Sequence, residues 1–251
     1  MIIYRLFIIL IVASNIATTQ SSILIKNGKI LDGTGNTWFF SDVLISEGFI
    51  RKISKNLDVP ADLIIDAKGQ IVAPGFIDVH GHIEGGIQGK PTADNYIYDG
   101  VTTVVTGNCG NSSDDLNAFF KRLDSTGISI NVASLVGHNT VRGKILKMEN
   151  RAPSLQEQAQ MEILVEEGMK SGAVGFSTGL IYVPGTYSNT EELIRLARQS
   201  AKFSGLYVSH IRDEGDSVHA AIDEAIRIGK EAGLPVEISH FKITGKHNWG
   251  S

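Results

Sequence analysis

A single cysteine, Cys109, occurs in the 251 residues of this sequence. One thiol cannot close an internal disulfide, so the fold must be held by its core. Basic runs are missing as well. The 23 Lys and Arg are scattered among 27 Asp and Glu, for a formal net charge of -4, which leaves no electrostatic footprint for nucleic acid. Long apolar runs are also scarce. Leu6 to Ala13 forms one near the start, but it is short for a bilayer span of about 20 apolar residues. It follows Met1-Ile-Ile-Tyr-Arg5 and leads into small and polar residues through Ser22. This order reads as a signal peptide over residues 1–21, predicting a periplasmic or secreted protein with no stable membrane association once the leader is removed. What remains, in a chain 42% hydrophobic and 20% charged, suffices for a substantial core.

Two patterns divide that remainder. Residues 22–73 carry short β signals and predict a small β-sandwich-like module. Ile23 to Gly33 alternates, with turns expected at Asn27-Gly28 and Asp32-Gly33. Asp42 to Ile53 reads as a hairpin around Glu47-Gly48, and Leu63 to Val72 as another around Lys68-Gly69. From Pro74 to Ser251, short apolar strands alternate with helical stretches. The strands are expected at Phe76 to Val79, Val101 to Thr106, Ile128 to Val136, Val174 to Ser177, Leu206 to Ser209 and Val236 to Ser239. Amphipathic helices are expected over Ser154 to Ser171, Thr190 to Ser204 and Asp216 to Gly233. Ser154-x-x-Glu157 and Ser188-x-x-Glu191 have capping-box spacing at the first two. Sixfold strand-helix alternation predicts an α/β fold with a parallel sheet, closing as a TIM-like (β/α)8 barrel of which six strands are present. An open doubly wound sheet is the alternative, although no dinucleotide-type glycine loop follows the first strand.

Metal-capable side chains recur just past the ends of those strands. His80 and His82 follow Phe76 to Val79 and, two residues apart, can project to one side. Cys109, His210 and His240 each follow a further strand, at the end of a barrel where active sites form. Imidazoles with a thiolate make a suitable first shell for zinc. His138 also ends a strand, as a ligand or as a residue behind one. His219, placed within a helix, and His247, near the chain end, read as solvent-facing.

Several stretches are similar to the amidohydrolase superfamily and its N-acyl-D-amino-acid deacylase (D-aminoacylase) branch. Pro74-Gly-Phe-Ile-Asp-Val-His-Gly-His82 resembles the superfamily's opening motif. Asp99 to Gly110, Gly172 to Leu180, Ser209-His-Ile-Arg-Asp-Glu-Gly215 and Ile238 to Ile243 resemble the deacylase branch. The resemblance implies a barrel of the metal-dependent hydrolase type, binding one or two zinc ions through His80, His82, Cys109, His210 and His240. Cys109 would stand where other relatives use a modified lysine. It implies that Lys242 and Tyr182 hold the carboxylate of a small N-acyl amino acid, although Tyr182 could equally anchor its loop by packing. It also implies an N-terminal fragment: the catalytic aspartate, expected after an eighth strand, would lie beyond Ser251, and no residue here takes its role. Ile83-Glu84 departs from the family, many of whose members carry an aspartate soon after the second histidine. The expected reaction is hydrolysis of a linear amide. A cyclic amidase of the dihydroorotase or hydantoinase kind is disfavoured, because Ala173 to Thr178 offers no lysine for carbamylation. An inactive metal-binding remnant is the non-enzyme alternative.

Overall fold

The structure, a computed structural model, describes residues 22–250; the leader expected over residues 1–21 lies outside them. Contacts divide the chain into two units, one ending at Pro74 and the other starting at Gly75.

The first unit is a five-stranded sheet. β1 (Ile23–Ile30) pairs antiparallel with β2 (Phe39–Ser46), which pairs with β3 (Phe49–Ser54) across the expected turn at Glu47-Gly48. Two other expectations fail. Asn27-Gly28 is not a turn but a bulge inside β1: Asn27 takes φ 58° and the register with β2 shifts between Ile25 and Gly28. The buried carboxylate of Asp42 stabilises this bulge, accepting from Asn27 N at 2.8 Å and from Leu57 N at 2.8 Å. Nor do the segments around Lys68-Gly69 form a hairpin. The chain turns there, but β4 (Leu63–Asp66) and β5 (Ile71–Val72) each run parallel to β1. The free edge of β1 explains this, since its backbone groups find partners only if both segments dock on it. Lys26 O accepts from Ala67 N at 2.8 Å, and Lys29 N donates to Gln70 O at 2.9 Å.

The second unit carries six parallel strands: β6 (Phe76–Asp78), β7 (Val101–Thr106), β8 (Asn131–Gly137), β9 (Gly175–Gly179), β10 (Leu206–His210) and β11 (Val236–Ile238). Their order in the sheet is their order in the chain. A doubly wound sheet would reverse direction at a switch point; this one never does, as a barrel arc requires. The helices between strands are α1 (Asp94–Ile97), α2 (Leu116–Thr126), α3 (His138–Ile145), α4 (Leu155–Lys170), α5 (Thr190–Ala201) and α6 (Val218–Ala232). Among the described residues, no helix is long and apolar enough to cross a membrane.

The helices pack by their apolar stripes. Met161, Val165 and Met169 of α4 recur every four residues, as do Ala221 and Ala225 of α6, and all are buried in one core with Phe176 and Tyr207. Burial contributes roughly 1.5–3 kcal/mol for each large apolar side chain. Ser154 forms the expected capping box with Glu157. At α5 the cap is Asn189 instead, whose Oδ1 accepts from Glu192 N at 2.8 Å. Ser188 is withdrawn from that role because its hydroxyl donates to Gly185 O at 2.7 Å.

Candidate metal centre

Barrel geometry gathers the strand ends. His210 is the last residue of β10, while His80, Cys109 and His240 lie two or three residues past β6, β7 and β11. Cys109 Sγ is the hub, lying 3.4 Å from His80 Nε2, 3.5 Å from His210 Nδ1 and 4.0 Å from His240 Nε2. The imidazole of His240 sits between the other two, with ring centroids 4.7 Å from His80 and 4.6 Å from His210. The donor atoms of His80, Cys109 and His240 all lie within 4.8 Å of one another.

The donors of His80, Cys109 and His240 fit one ion, with His210 Nδ1 beside the thiol. In tetrahedral zinc coordination, with Zn–S about 2.3 Å and Zn–N about 2.0–2.1 Å, sulfur and nitrogen stand about 3.6 Å apart. Electrostatics suits the imidazoles to the task. Burial pushes His80 below its ordinary pKa, helped by His240 and His82, and burial likewise lowers His210. Neutral imidazole is the form that ligates. Burial raises the Cys109 thiol, against the pull of the Lys242 charge. A metal ion at the sulfur supplies the positive charge that favours thiolate.

The loop bearing Cys109 is tightly built. Cys109 itself takes φ 52°, and the flanking Gly107 and Gly110 take φ 79° and 76°. Ser177 on β9 brackets this turn, donating to Gly107 O and accepting from Gly110 N at 3.2 Å. Asn108 Nδ2 donates to Val105 O at 2.9 Å and to Val79 O at 3.3 Å, tying the Cys109 loop to the His80 loop. At Gly179 a Cβ would lie 2.2 Å from Cys109 O, so only glycine lets the two loops meet. At Gly107 a Cβ would lie 2.3 Å from Leu135 O, in a backbone region that L residues avoid. Gly107→Ala is accordingly expected to lower stability by about 2 kcal/mol, combining backbone strain with the forced shift. Urea unfolding checks this, and an unchanged midpoint would contradict the close approach.

The remaining candidates are placed as follows. His82 is exposed, its ring 5.3 Å from that of His80 and outside the group centred on Sγ. Tyr182 is half-exposed, with its ring 4.8 Å from that of His210 at 62°; it lies over the site. Lys242 reaches in from the loop after β11, its Nζ donating to Glu214 Oε1 at 2.6 Å. His138 is directed elsewhere: it is fully buried, and its Nε2 meets Glu192 Oε1 at 2.9 Å. His219 is exposed in the first turn of α6 rather than mid-helix, and His247 is exposed with Nε2 2.8 Å from Asp216 Oδ1.

Ser177, Asn108 and Glu214 are the residues that reading the sequence passed over as site-builders. A signal existed for Ser177, a hydroxyl inside the wholly buried strand Gly-Phe-Ser-Thr-Gly. Buried polar groups need partners, so such a residue marks a contact made elsewhere.

Residues 63–249 match the family model described as "Amidohydrolase family". An N-acyl-D-glutamate deacylase of Alcaligenes xylosoxydans xylosoxydans is 38% identical over 250 residues, covering 91% of this chain and 51% of that protein. The crystal structure of an N-acyl-D-glutamate deacylase from Bordetella bronchiseptica, complexed with zinc and a phosphonate mimic of the tetrahedral intermediate, superimposes with TM-score 0.87. Its identity is 38%, covering 92% of this chain and 53% of that one. A D-aminoacylase structure described with a binuclear metal centre gives TM-score 0.87 at 31% identity, covering 91% and 53%. The chain thus spans about half the length of the relatives it matches.

Proposed function

The chain belongs to the amidohydrolase family, and on that premise we propose that it forms the metal-binding half of a hydrolase that deacylates N-acyl-D-amino acids. One observation carries the reading: a buried thiol with three imidazole nitrogens 3.4 to 4.0 Å away, at the strand ends of a barrel arc. His80, Cys109, His210 and His240 would hold zinc, with His82 beside them for a second ion. The metal, when bound, supplies Lewis-acid polarisation of an amide carbonyl and acidifies water to near-neutral pKa.

The chain's own groups orient the substrate. Lys242 offers an ammonium and Tyr182 a phenol, and both donate hydrogen bonds to a carboxylate. Tyr182 also sets its ring edgewise to that of His210, beside the cluster. Asp78, Asp213 and Glu214 are given no part in proton transfer. Asp78 Oδ1 accepts from His80 N at 3.0 Å, Asp213 accepts from Gly215 N, and Glu214 is engaged by Lys242. A cyclic amidase is disfavoured by β9, Gly175–Gly179, which carries no lysine to be carbamylated.

The test is an assay of the full-length protein on N-acetyl-D-amino acids, their L enantiomers and hydantoins. Release of D-amino acid, lost on chelation and restored by zinc, is the expected result. Cleavage of hydantoins alone would sink the deacylase reading in favour of a cyclic amidase. Tight zinc binding with no amide cleaved would leave a metal-binding remnant.

A further inference from the structure

Glu214 sits four residues past His210 in the loop after β10, and only 7% of it is exposed. Its two ends make separate contacts. The backbone carbonyl accepts from Thr244 N at 2.7 Å and from Thr244 Oγ1 at 3.1 Å, closing the loop after β11 onto the loop after β10. The side chain acts independently of those bonds. Its Oε1 accepts from Lys242 Nζ at 2.6 Å and lies 3.3 Å from His210 Nε2.

His210 turns Nδ1 towards Cys109, so Nε2 is the ring atom facing away from the thiol. That Nε2 is buried and has no directed hydrogen bond, which leaves the Glu214 carboxylate beside it as its charged neighbour. Lys242, by contrast, has a side chain 55% exposed. A long flexible cation at the surface keeps one position only when something holds it. Glu214 is the group that does so.

Resting on the deacylase reading above, we propose that Glu214 is a positioning residue coupling the two ends of the site. It fixes the Lys242 ammonium where a substrate carboxylate would meet it, and it orients the His210 ring from the side opposite the metal position. A carboxylate against the outer nitrogen of a ligating histidine sets its orientation and raises its basicity. A fixed ammonium binds an arriving carboxylate without first being ordered.

The experiment compares Glu214→Ala and Glu214→Gln in the full-length protein, reading zinc affinity by chelator competition and KM against kcat at saturating zinc. In Glu214→Ala the zinc dissociation constant and KM are each expected to rise about tenfold, with kcat changed less than about threefold. Glu214→Gln keeps an oxygen acceptor for Lys242 and is expected to recover most of the KM. Adding Lys242→Met to Glu214→Ala should raise KM by a smaller factor than Lys242→Met does in the wild type, because the lysine has already lost its fixed position. Zinc affinity and KM both within twofold of wild type in Glu214→Ala would overturn the positioning role alone. Equal KM losses in both variants, with a lowered melting temperature, would overturn it in favour of a purely structural role. A wild-type protein that binds no zinc, or cleaves no N-acyl-D-amino acid, would overturn the deacylase reading itself.

Discussion

Cys109→Ala is expected to weaken zinc binding by more than about 100-fold and to remove metal-dependent hydrolysis with it. Loss of a partner behind a ligand already costs about 10- to 100-fold in metal affinity, and loss of a ligand should cost more. Cys109 is the hub of this arrangement, within 4.0 Å of three imidazole nitrogens. It is also the group that would bring negative charge to the proposed donor set, since His80, His210 and His240 ligate as neutral imidazoles. The fold should tolerate the change. The thiol is small and buried, and removing it leaves a cavity costing about 1 kcal/mol. Chelator competition with a circular dichroism control separates the two effects. A variant that keeps wild-type zinc affinity would show that Cys109 is not a ligand.

Glu192→Ala is expected to destabilise the protein by about 3–5 kcal/mol, because it strands charge in the core. Arg142 and Glu192 are both buried, with Arg142 Nη1 2.5 Å from Glu192 Oε2. The other carboxylate oxygen meets His138 Nε2 at 2.9 Å. Arg142 Nη2 goes on to Arg151 O at 2.6 Å, so one network joins α3, α5 and the segment before α4. Without the carboxylate, the guanidinium would keep its burial and lose its counter-charge. Urea denaturation of the variant measures this, and a loss below about 1 kcal/mol would mean the network is not what holds these helices.

The same carboxylate predicts a direction with pH. Burial alone would raise the Glu192 pKa, but the His138 hydrogen bond and charge, with those of Arg142, outweigh burial and set it below the ordinary value. In the unfolded chain a glutamate titrates near about 4.3. The stabilisation is therefore fully present above that range and is lost as pH falls through the lower folded-state value. Wild type should lose stability over that acidic interval more steeply than Glu192→Gln, which has no carboxylate to protonate.

This network also explains how the sequence could suggest His138 as a ligand. Its position after an apolar strand is the same as that of the other site histidines, and strand ends are legible because strand periodicity is local. Its partner Glu192 lies 54 residues away, and only the packing of α3 and α5 on α4 and β9 brings the two together. The unexpected pairing of β4 and β5 with β1 has the same origin. Lys68-Gly69 does turn the chain, but which edge the flanking segments join depends on free backbone groups more than 30 residues earlier.

Legible in the residues alone were the six-strand alternation, the change of pattern near Pro74, and the strand-end positions of His80, Cys109, His210 and His240. Each follows from periodicity, turn chemistry or a short motif, all of which act over a few residues. Tertiary structure alone decided that Sγ of Cys109 is the centre of the cluster and that His138 belongs to a buried ion network. It also decided that Glu214 links His210 to Lys242, 28 residues further on. Those outcomes turn on separations of a few ångströms between loops distant in the chain. Such separations are set by how the barrel arc curves and by which glycines let its loops touch, and no local pattern encodes them.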